Sequence, residues 1–78
     1  MSKLYTILGR ILKEDPTIFT DDSSPQTVGN WDSFNGLLLA SELEKEFAIQ
    51  FTMAEILDVK NVRDIKKHLK NHGINPDA

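Results

Sequence analysis

The feature that most limits how this chain can fold is a predicted helix with two apolar faces, in the stretch GNWDSFNGLLLASELEKEF at residues 29–47. At about 100° per residue, one face repeats every four positions along the helix and holds Leu39, Ala40, Leu43 and Phe47. The opposite face is confined to the first two turns and holds Phe34, Leu37, Leu38 and Ser41. A core built from 78 residues is too small to enclose a helix all round. We therefore expect the first face to be buried and the second to be an exposed binding surface; the alternative is that both are buried.

Start and stop signals predict two helices before residue 48. The first is predicted over residues 2–14 and ends before Pro16, because proline disfavours helical geometry in the residue that precedes it. Asp32 is the expected N-cap of the second helix, which is predicted over residues 33–47. Gly36 destabilises a helix relative to alanine. Either it permits close packing on the core side, or the helix tolerates the loss and the glycine has no packing role.

Two more helices are predicted after an extended link. Thr52 and Glu55 have the spacing of a capping box and open one short helix. Asn61 is the expected cap of the last helix, and Gly73 ends it. The predicted fold class is all-α, a four-helix bundle with three longer helices and one short helix. It forms a single domain over residues 1–78, with residues 74–78 as a frayed tail.

A long loop is predicted between the first two helices, over residues 15–32. A structureless loop of this length is uncommon in a compact domain, so it either has a function or hides a turn of helix. Four apolar residues are expected to fix it to the core: Ile18, Phe19, Val28 and Trp31. The acidic and hydroxyl side chains of residues 21–24 are expected to serve in turns and caps, in preference to a cation site.

Composition excludes several classes of function. The absence of cysteine rules out disulfides, thiolate metal sites and a cysteine nucleophile. Residues 14–58 hold ten acids and one base, Lys45, which makes nucleic acid an unfavourable partner because binding it requires neutralising phosphates. No signal peptide or membrane-spanning run is predicted, and the expectation is a cytoplasmic monomer that does not bind membranes.

Catalytic and metal-binding sites are not predicted. His68 and His72 lie four residues apart on one helix face, but no acid at a neighbouring turn of that face completes a metal site, so we interpret them as solvated. Ser33, at the start of the second helix, has no His, Cys or Lys close by in sequence to activate it. A helix N-terminus nevertheless favours a phosphate-bearing group.

These residues resemble those of a known family. The Asp32–Ser33 pair followed by bulky apolar Phe34 looks like the D-S-L motif of acyl carrier proteins, and LEKEFAIQFT resembles the family's L-E-x-E-F-x-I segment. The loop TDDSSPQTVGNWDS is similar to that of stand-alone carriers from bacterial biosynthetic clusters. The similarity covers nearly the whole chain in length and in element order.

The resemblance implies a specific function. Ser33 would receive 4'-phosphopantetheine from coenzyme A through a transferase, with Asp32 beside it, and the arm would carry acyl or aminoacyl groups as thioesters. The implied partners are this phosphopantetheinyl transferase, an acyl- or aminoacyl-loading ligase, and condensing or acyl-transfer enzymes. The chain itself would not be an enzyme. The expected docking residues are Phe34, Leu37, Leu38, Ser41, Glu44 and Lys45.

The sequence departs from the family at three docking positions, the first being Phe34, a conservative apolar replacement of the usual leucine. Other functions stay open. Leu38 stands where fatty-acid carriers commonly have a glutamate, and Lys45 interrupts the acidic run of the second helix, which favours a dedicated set of partners. One alternative is a carrier-like interaction domain that is never modified. A more distant one is a DNA-binding helix-turn-helix that uses the lysine-rich last helix. The cargo is not determined by these residues.

Overall fold

Four helices and one short turn form the fold in a computed structural model, which describes residues 2–77. The helices are α1 (Lys3–Leu12), α2 (Ser33–Phe47), α3 (Met53–Asp58) and α4 (Val62–Asn71). A 3-10 turn, Pro16–Ile18, lies in the long loop after α1, and no strand occurs within residues 2–77. The all-α fold class with three longer helices and one short helix is therefore confirmed, and the loop does contain a turn of helix.

The helix ends follow from local capping. The Ser2 hydroxyl accepts the Tyr5 backbone N–H at 3.2 Å, which starts α1 at Lys3. At the other end Lys13 adopts a left-handed conformation with φ 57°, and the Glu14 N–H donates to the Gly9 carbonyl at 2.9 Å. The predicted range of 2–14 is therefore too long, because this left-handed residue ends the helix before Pro16 is reached.

The predicted caps of the other helices are present. The Asp32 carboxylate accepts the Asn35 N–H at 2.8 Å, so α2 begins at Ser33 as expected. Both bonds of the capping box between Thr52 and Glu55 are formed at the start of α3. The Asn61 side chain accepts the Asp64 N–H at 2.9 Å and starts α4.

The core contains one face of α2, as predicted. Leu39 and Leu43 are buried, and Phe47 packs partly buried against them. The other buried apolar residues come from α1, the long loop and α4: Leu4, Ile7, Leu8, Leu12, Phe19, Val28, Trp31, Val62, Ile65 and Leu69. Since α3 contributes no buried residue, the core lies between the other three helices and the loop, and α3 covers its edge.

The loop between α1 and α2 is fixed to the core by three of the four predicted residues. Phe19, Val28 and Trp31 are each 5% exposed, whereas Ile18 is 49% exposed, so the expectation for Ile18 is wrong. Ile18 ends the 3-10 turn, and Phe19 follows it in an extended conformation. Phe19 takes the position on the core, with its ring centroid 6.2 Å from that of Tyr5, and Ile18 is left outside.

The acidic and hydroxyl segment at residues 21–24 caps α4 from outside the helix. The first two free N–H groups of α4, at Val62 and Arg63, donate to the carbonyls of Ser23 and Asp21 at 2.9 and 3.0 Å. The Asp21 carboxylate also meets the Lys66 ammonium at 2.7 Å. The predicted role of the side chains in turns is confirmed, because the Ser23 and Ser24 hydroxyls accept the N–H groups of Thr20 and Gln26 at 2.9 and 3.2 Å. The segment also ties the loop to α4.

Short helix α3 is held to α4 by carboxylate and histidine side chains. His68 Nε2 lies 2.9 Å from Asp58 Oδ2, and His72 Nε2 lies 3.0 Å from Glu55 Oε2. His68 is 8% exposed. The interpretation of this pair as solvated histidines is therefore wrong, because the partner acids come from α3, a different helix, and spacing within α4 gives no sign of them.

These contacts predict how stability depends on pH. The His68 and Lys67 side chains lower the pKa of Asp58, and the Thr52 backbone N–H, followed by the His72 side chain, lowers that of Glu55. Because both carboxyls have lower pKa values folded than unfolded, their stabilisation is complete above about pH 5, where both are also ionised in the unfolded chain, and is lost as the pH falls through the folded values.

The check is urea unfolding between about pH 5 and pH 2. We expect the unfolding midpoint of the Glu55→Gln, Asp58→Asn double variant to fall less over this range than that of the wild type. Glu46→Gln is the matched control, because Glu46 makes only a surface ion pair with Lys3 at 3.7 Å. Equal pH dependence in the double variant and the wild type would show that these carboxylates do not hold α3.

Residues 74–77 make defined contacts, in contrast to the frayed tail predicted over 74–78. Gly73 has φ 82° and turns the chain at the end of α4 as expected. Ile74 packs against the core, and Pro76 is fully buried. The tail returns to the protein because this left-handed glycine redirects it, and the Ile74 N–H donates to the Leu69 carbonyl at 2.9 Å. Ala78 lies outside the described residues.

Candidate functional site

Ser33 is exposed at the start of α2, and its side chain takes no part in capping the helix. Capping is done by its neighbour, since the Asp32 carboxylate accepts the Asn35 N–H and the Asp32 carbonyl accepts the Gly36 N–H. Within residues 2–77, the Ser33 hydroxyl makes no hydrogen bond, and no histidine or lysine contacts it as a base. A hydroxyl in this position is accessible to an external enzyme but is not activated by the chain itself.

The N-terminus of α2 also offers donors to an anion. Among the described residues, the backbone N–H groups of Ser33 and Phe34 have no hydrogen-bond partner. Unpaired N–H groups and the helix dipole together favour a phosphate at such a position. A phosphodiester formed on the Ser33 oxygen would lie next to these groups.

A cavity of about 530 Å³ opens beside Ser33. Ser33 and Asp32 lie at its rim, together with the exposed apolar side chains Leu37 and Leu57. The deeper wall is formed by buried residues of the core face of α2 and of α4, among them Leu39, Leu43, Ile65 and His68. The remaining lining residues are Pro25, Trp31, Gly36, Ala40, Phe51, Glu55, Ile56 and Val59. The volume is within the range of about 300–1,000 Å³ that is typical of small-molecule sites.

The second apolar face of α2 is exposed, as predicted. Phe34 is 69% exposed, Leu37 is 53% exposed and Leu38 is 40% exposed, and Ser41 is exposed as well. Sequence reasoning missed two further members of this kind on α3, Met53 and Leu57. The six residues of α3 are too few for a clear amphipathic pattern, and this is why its exposed side could not be assigned from the sequence.

The acidic side chains of α2 are less available than the sequence suggests. The Glu44 carboxylate is half-buried and accepts the Phe51 N–H at 2.8 Å, which fixes the link to α3. Glu42 pairs with Arg10 of α1 at 3.3 Å and with Lys45 at 3.7 Å. Glu42 and Glu44 are therefore both engaged within the protein, Glu42 by two cations and Glu44 by a backbone N–H.

Other kinds of site are not formed by the described residues. Over residues 2–77, no group of three or more histidine, aspartate or glutamate side chains is arranged to hold a metal ion. None of the four helices is long and apolar enough to cross a membrane.

The residues around Ser33 fit a phosphopantetheine arm. The exposed hydroxyl can form the phosphodiester, the free N–H groups of α2 can receive its oxygens, and the adjacent cavity can receive what the arm carries. Trp31, which is 5% exposed, lines the same cavity as Ser33 and Gly36. All of these features converge on one end of α2.

Comparisons with known proteins indicate one family. The family model described as "Phosphopantetheine attachment site" matches residues 2–69. A Mycobacterium tuberculosis protein classed as an acyl carrier protein has a similar structure, with TM-score 0.79 and 25% identity over 88% of this chain and 92% of that chain. The solution structure of holo acyl carrier protein from Geobacter metallireducens is similar with TM-score 0.79 and 26% identity, over 87% of this chain and 78% of that chain. Among curated proteins, none matches significantly.

The family match spans most of the chain, and the solved structures share its four-helix fold. The resemblance inferred from the Asp32–Ser33 motif is therefore confirmed. The chain belongs to the acyl carrier protein family, whose cofactor is 4'-phosphopantetheine.

Proposed function

We propose that Ser33 carries the 4'-phosphopantetheine arm and that the chain presents acyl or aminoacyl groups on it to biosynthetic enzymes. The observation that carries the proposal is the position of Ser33, the first residue of α2, exposed at the rim of the cavity with an uncommitted hydroxyl. When bound, the arm supplies a thiol that holds the cargo as a thioester. The chain contains no cysteine, so this thiol is chemistry that its own side chains lack.

The residues of the chain position the arm without reacting. Asp32 fixes the first turn of α2 by accepting the Asn35 N–H, which keeps the serine hydroxyl free for modification. The N–H groups of Ser33 and Phe34 stabilise the phosphodiester charge. The chain is therefore a substrate of its transferase, and it is not an enzyme.

Partner enzymes are proposed to dock on the exposed face of α2 formed by Phe34, Leu37, Leu38 and Ser41. We extend this docking face to Met53 and Leu57 of α3, because Leu37 and Leu57 line the same cavity mouth. Glu44 and Lys45 contribute less, since Glu44 accepts the Phe51 N–H and Lys45 forms a surface ion pair with Glu42. The partners are a phosphopantetheinyl transferase, an acyl- or aminoacyl-loading ligase, and condensing or acyl-transfer enzymes.

The experiment is mass spectrometry after incubation with coenzyme A, magnesium and each of several active phosphopantetheinyl transferases. We expect one increment of a single phosphopantetheine in the wild type and none in Ser33→Ala. Ser24→Ala is the matched control, because Ser24 is a serine of the long loop that lies outside the docking face and does not line the cavity. It should be modified like the wild type.

The same experiment tests a second candidate function, an unmodified interaction domain. Its support is the exposed apolar face of α2, which would bind a protein whether or not Ser33 is modified. An unchanged mass of the folded wild type with every transferase would contradict the carrier proposal and favour this alternative. An increment that persists in Ser33→Ala would place the arm on another residue.

A further inference from the structure

The single tryptophan of the chain has an unused hydrogen-bond donor in the cavity beside Ser33. Trp31 is 5% exposed and lines this cavity together with Ser33. Within residues 2–77, its indole N–H meets no hydrogen-bond acceptor, although its backbone N–H donates to the Val28 carbonyl at 3.1 Å. Tryptophans that are buried usually pair the indole N–H, because an unpaired polar group in apolar surroundings costs free energy. This donor is therefore available to a partner from outside the chain.

The indole N–H is not sealed inside the protein. Among residues 2–77, the only side-chain nitrogen or oxygen that is both enclosed and unpaired is Nδ1 of His68. Since Nε1 of Trp31 is unpaired as well and is not enclosed in this way, it keeps some accessible surface. The rest of the tryptophan belongs to the buried core, which holds the ring in place. The indole N–H is thus a fixed donor at an opening of the cavity.

Gly36 shows where this opening lies. A Cβ built on Gly36 would be 3.8 Å from Trp31 Nε1 and, apart from its chain neighbours and the backbone of its own helix, would meet no other heavy atom within 4 Å. Gly36 also lines the cavity. The space between α2 and the indole nitrogen is therefore open and belongs to the same cavity.

An arm attached to Ser33 would pass this space. Ser33 and Gly36 are three residues apart on one side of α2, which separates them by about 4.5 Å along the helix axis. The phosphate of the arm would lie at the unpaired N–H groups at the start of α2. The next polar groups of phosphopantetheine are the hydroxyl and the first amide carbonyl of its pantoyl part, and both can accept a hydrogen bond.

We propose that the Trp31 indole N–H donates a hydrogen bond to the pantoyl hydroxyl or the first amide carbonyl and holds this part of the arm against α2. This inference rests on the proposed function of Ser33 as the attachment site. Trp31 is then a cofactor-binding residue in addition to a core residue. The thiol end of the arm stays free, and a partner enzyme that draws the arm into its own site must break this bond.

NMR of the ¹⁵N-labelled protein before and after modification with coenzyme A tests the contact. Because the chain contains one tryptophan, the indole N–H gives a single resonance. In the modified protein we expect this proton to move downfield and its exchange with water to slow about three- to tenfold, the factor by which a net hydrogen bond favours the bound form. We also expect nuclear Overhauser effects between the indole proton and the two methyl groups of the arm.

Replacing the N–H alone gives the sharpest variant. Benzothienylalanine, a tryptophan analogue with sulfur in place of the N–H, can be incorporated at the one tryptophan position and keeps the size of the ring. In this protein we expect ¹³C relaxation of a labelled arm to show greater mobility than in the wild type. Tyr5→Phe is the matched control, because it removes a polar hydrogen from another ring on the core, outside the cavity, and it should leave the arm unchanged.

A coenzyme A analogue without the pantoyl hydroxyl distinguishes the two acceptors. The downfield shift should survive with this analogue if the carbonyl accepts the bond and should be lost if the hydroxyl does.

Three results would overturn the proposal. They are an indole resonance and exchange rate that do not change on modification, slower exchange without a downfield shift, which would mean that the arm only covers the ring, and an arm of equal mobility in the wild type and the benzothienylalanine protein. Failure to modify Ser33 at all would instead contradict the proposed function.

Discussion

Gly9→Ala lowers the melting temperature by about 10–20 °C, the largest stability change we expect from a single methyl group in this chain. A Cβ at position 9 would lie 2.7 Å from the Glu14 carbonyl oxygen and 2.8 Å from Pro16 Cγ. A backbone carbonyl and a proline ring cannot rotate away, so the end of α1 and the turn after it must shift. Such overpacking costs about 1–3 kcal/mol, and a domain of this size has only about 4–12 kcal/mol in total.

Gly36→Ala is the matched control, because it makes the same substitution in another helix. Its Cβ would meet only Trp31 Nε1, at 3.8 Å, which is ordinary contact. Here the gain in helix propensity dominates, and the melting temperature should rise by a few degrees for a gain of about 0.4–1 kcal/mol. Of the two interpretations of Gly36 from the sequence, the structure thus favours the one in which the glycine has no packing role and the helix tolerates its loss of stability.

Circular dichroism melts of the two variants and the wild type check this prediction. The opposite signs of the two expected changes in melting temperature are decisive, since helix propensity alone would make both variants more stable. A Gly9→Ala variant at least as stable as the wild type would mean that the chain does not turn back over Gly9 between Lys13 and Pro16.

Local signals made the helices of this fold predictable from the sequence. The caps at Asp32, Thr52 and Asn61 act within three residues of the backbone groups they satisfy, so the sequence contains both partners. The core face of α2 was equally predictable, because fifteen residues are enough for the helical period to separate two sides. The position of Ser33 at the start of α2 was predictable for the same reason.

Contacts between distant segments were not predictable in the same way. His68 meets Asp58 across two helices, and the Glu44 carboxylate reaches the Phe51 N–H beyond the end of its own helix. The cavity is likewise formed by residues from the loop, α2, the link, α3 and α4, and its volume depends on how these elements pack. The sequence alone therefore leaves open whether a core of this size keeps space for cargo.

Charge pairing across helices changes what is expected of partner docking. Glu46 pairs with Lys3 and Glu42 pairs with Arg10, and both cations belong to α1. The net negative charge of the middle segment therefore overstates the number of unpaired carboxylates on α2. Exposed pairs of this kind contribute little to stability, but they do reduce the field that would steer a cationic partner. Apolar contact should then dominate the lifetime of the complex with a partner enzyme.

Leu38→Glu therefore reduces kcat/KM for modification by the cognate phosphopantetheinyl transferase by roughly thirtyfold, which corresponds to an interface hot spot of about 2 kcal/mol. Leu38 is 40% exposed and does not line the cavity, so the variant should keep its helical spectrum and its internal volume. Because an apolar anchor is lost, the defect should persist at high salt, unlike the loss of a steering charge.

The matched control for Leu38→Glu is Ile18→Glu, which places the same charge on a 49% exposed residue of the 3-10 turn, outside α2 and α3. We expect Ile18→Glu to be modified at nearly the wild-type rate. If Leu38→Glu unfolds the domain, Leu38 supports the core more than its exposure indicates. If it folds and is modified normally, the transferase binds elsewhere. A defect equal to that of Ile18→Glu would mean that added charge, rather than the apolar face of α2, controls docking.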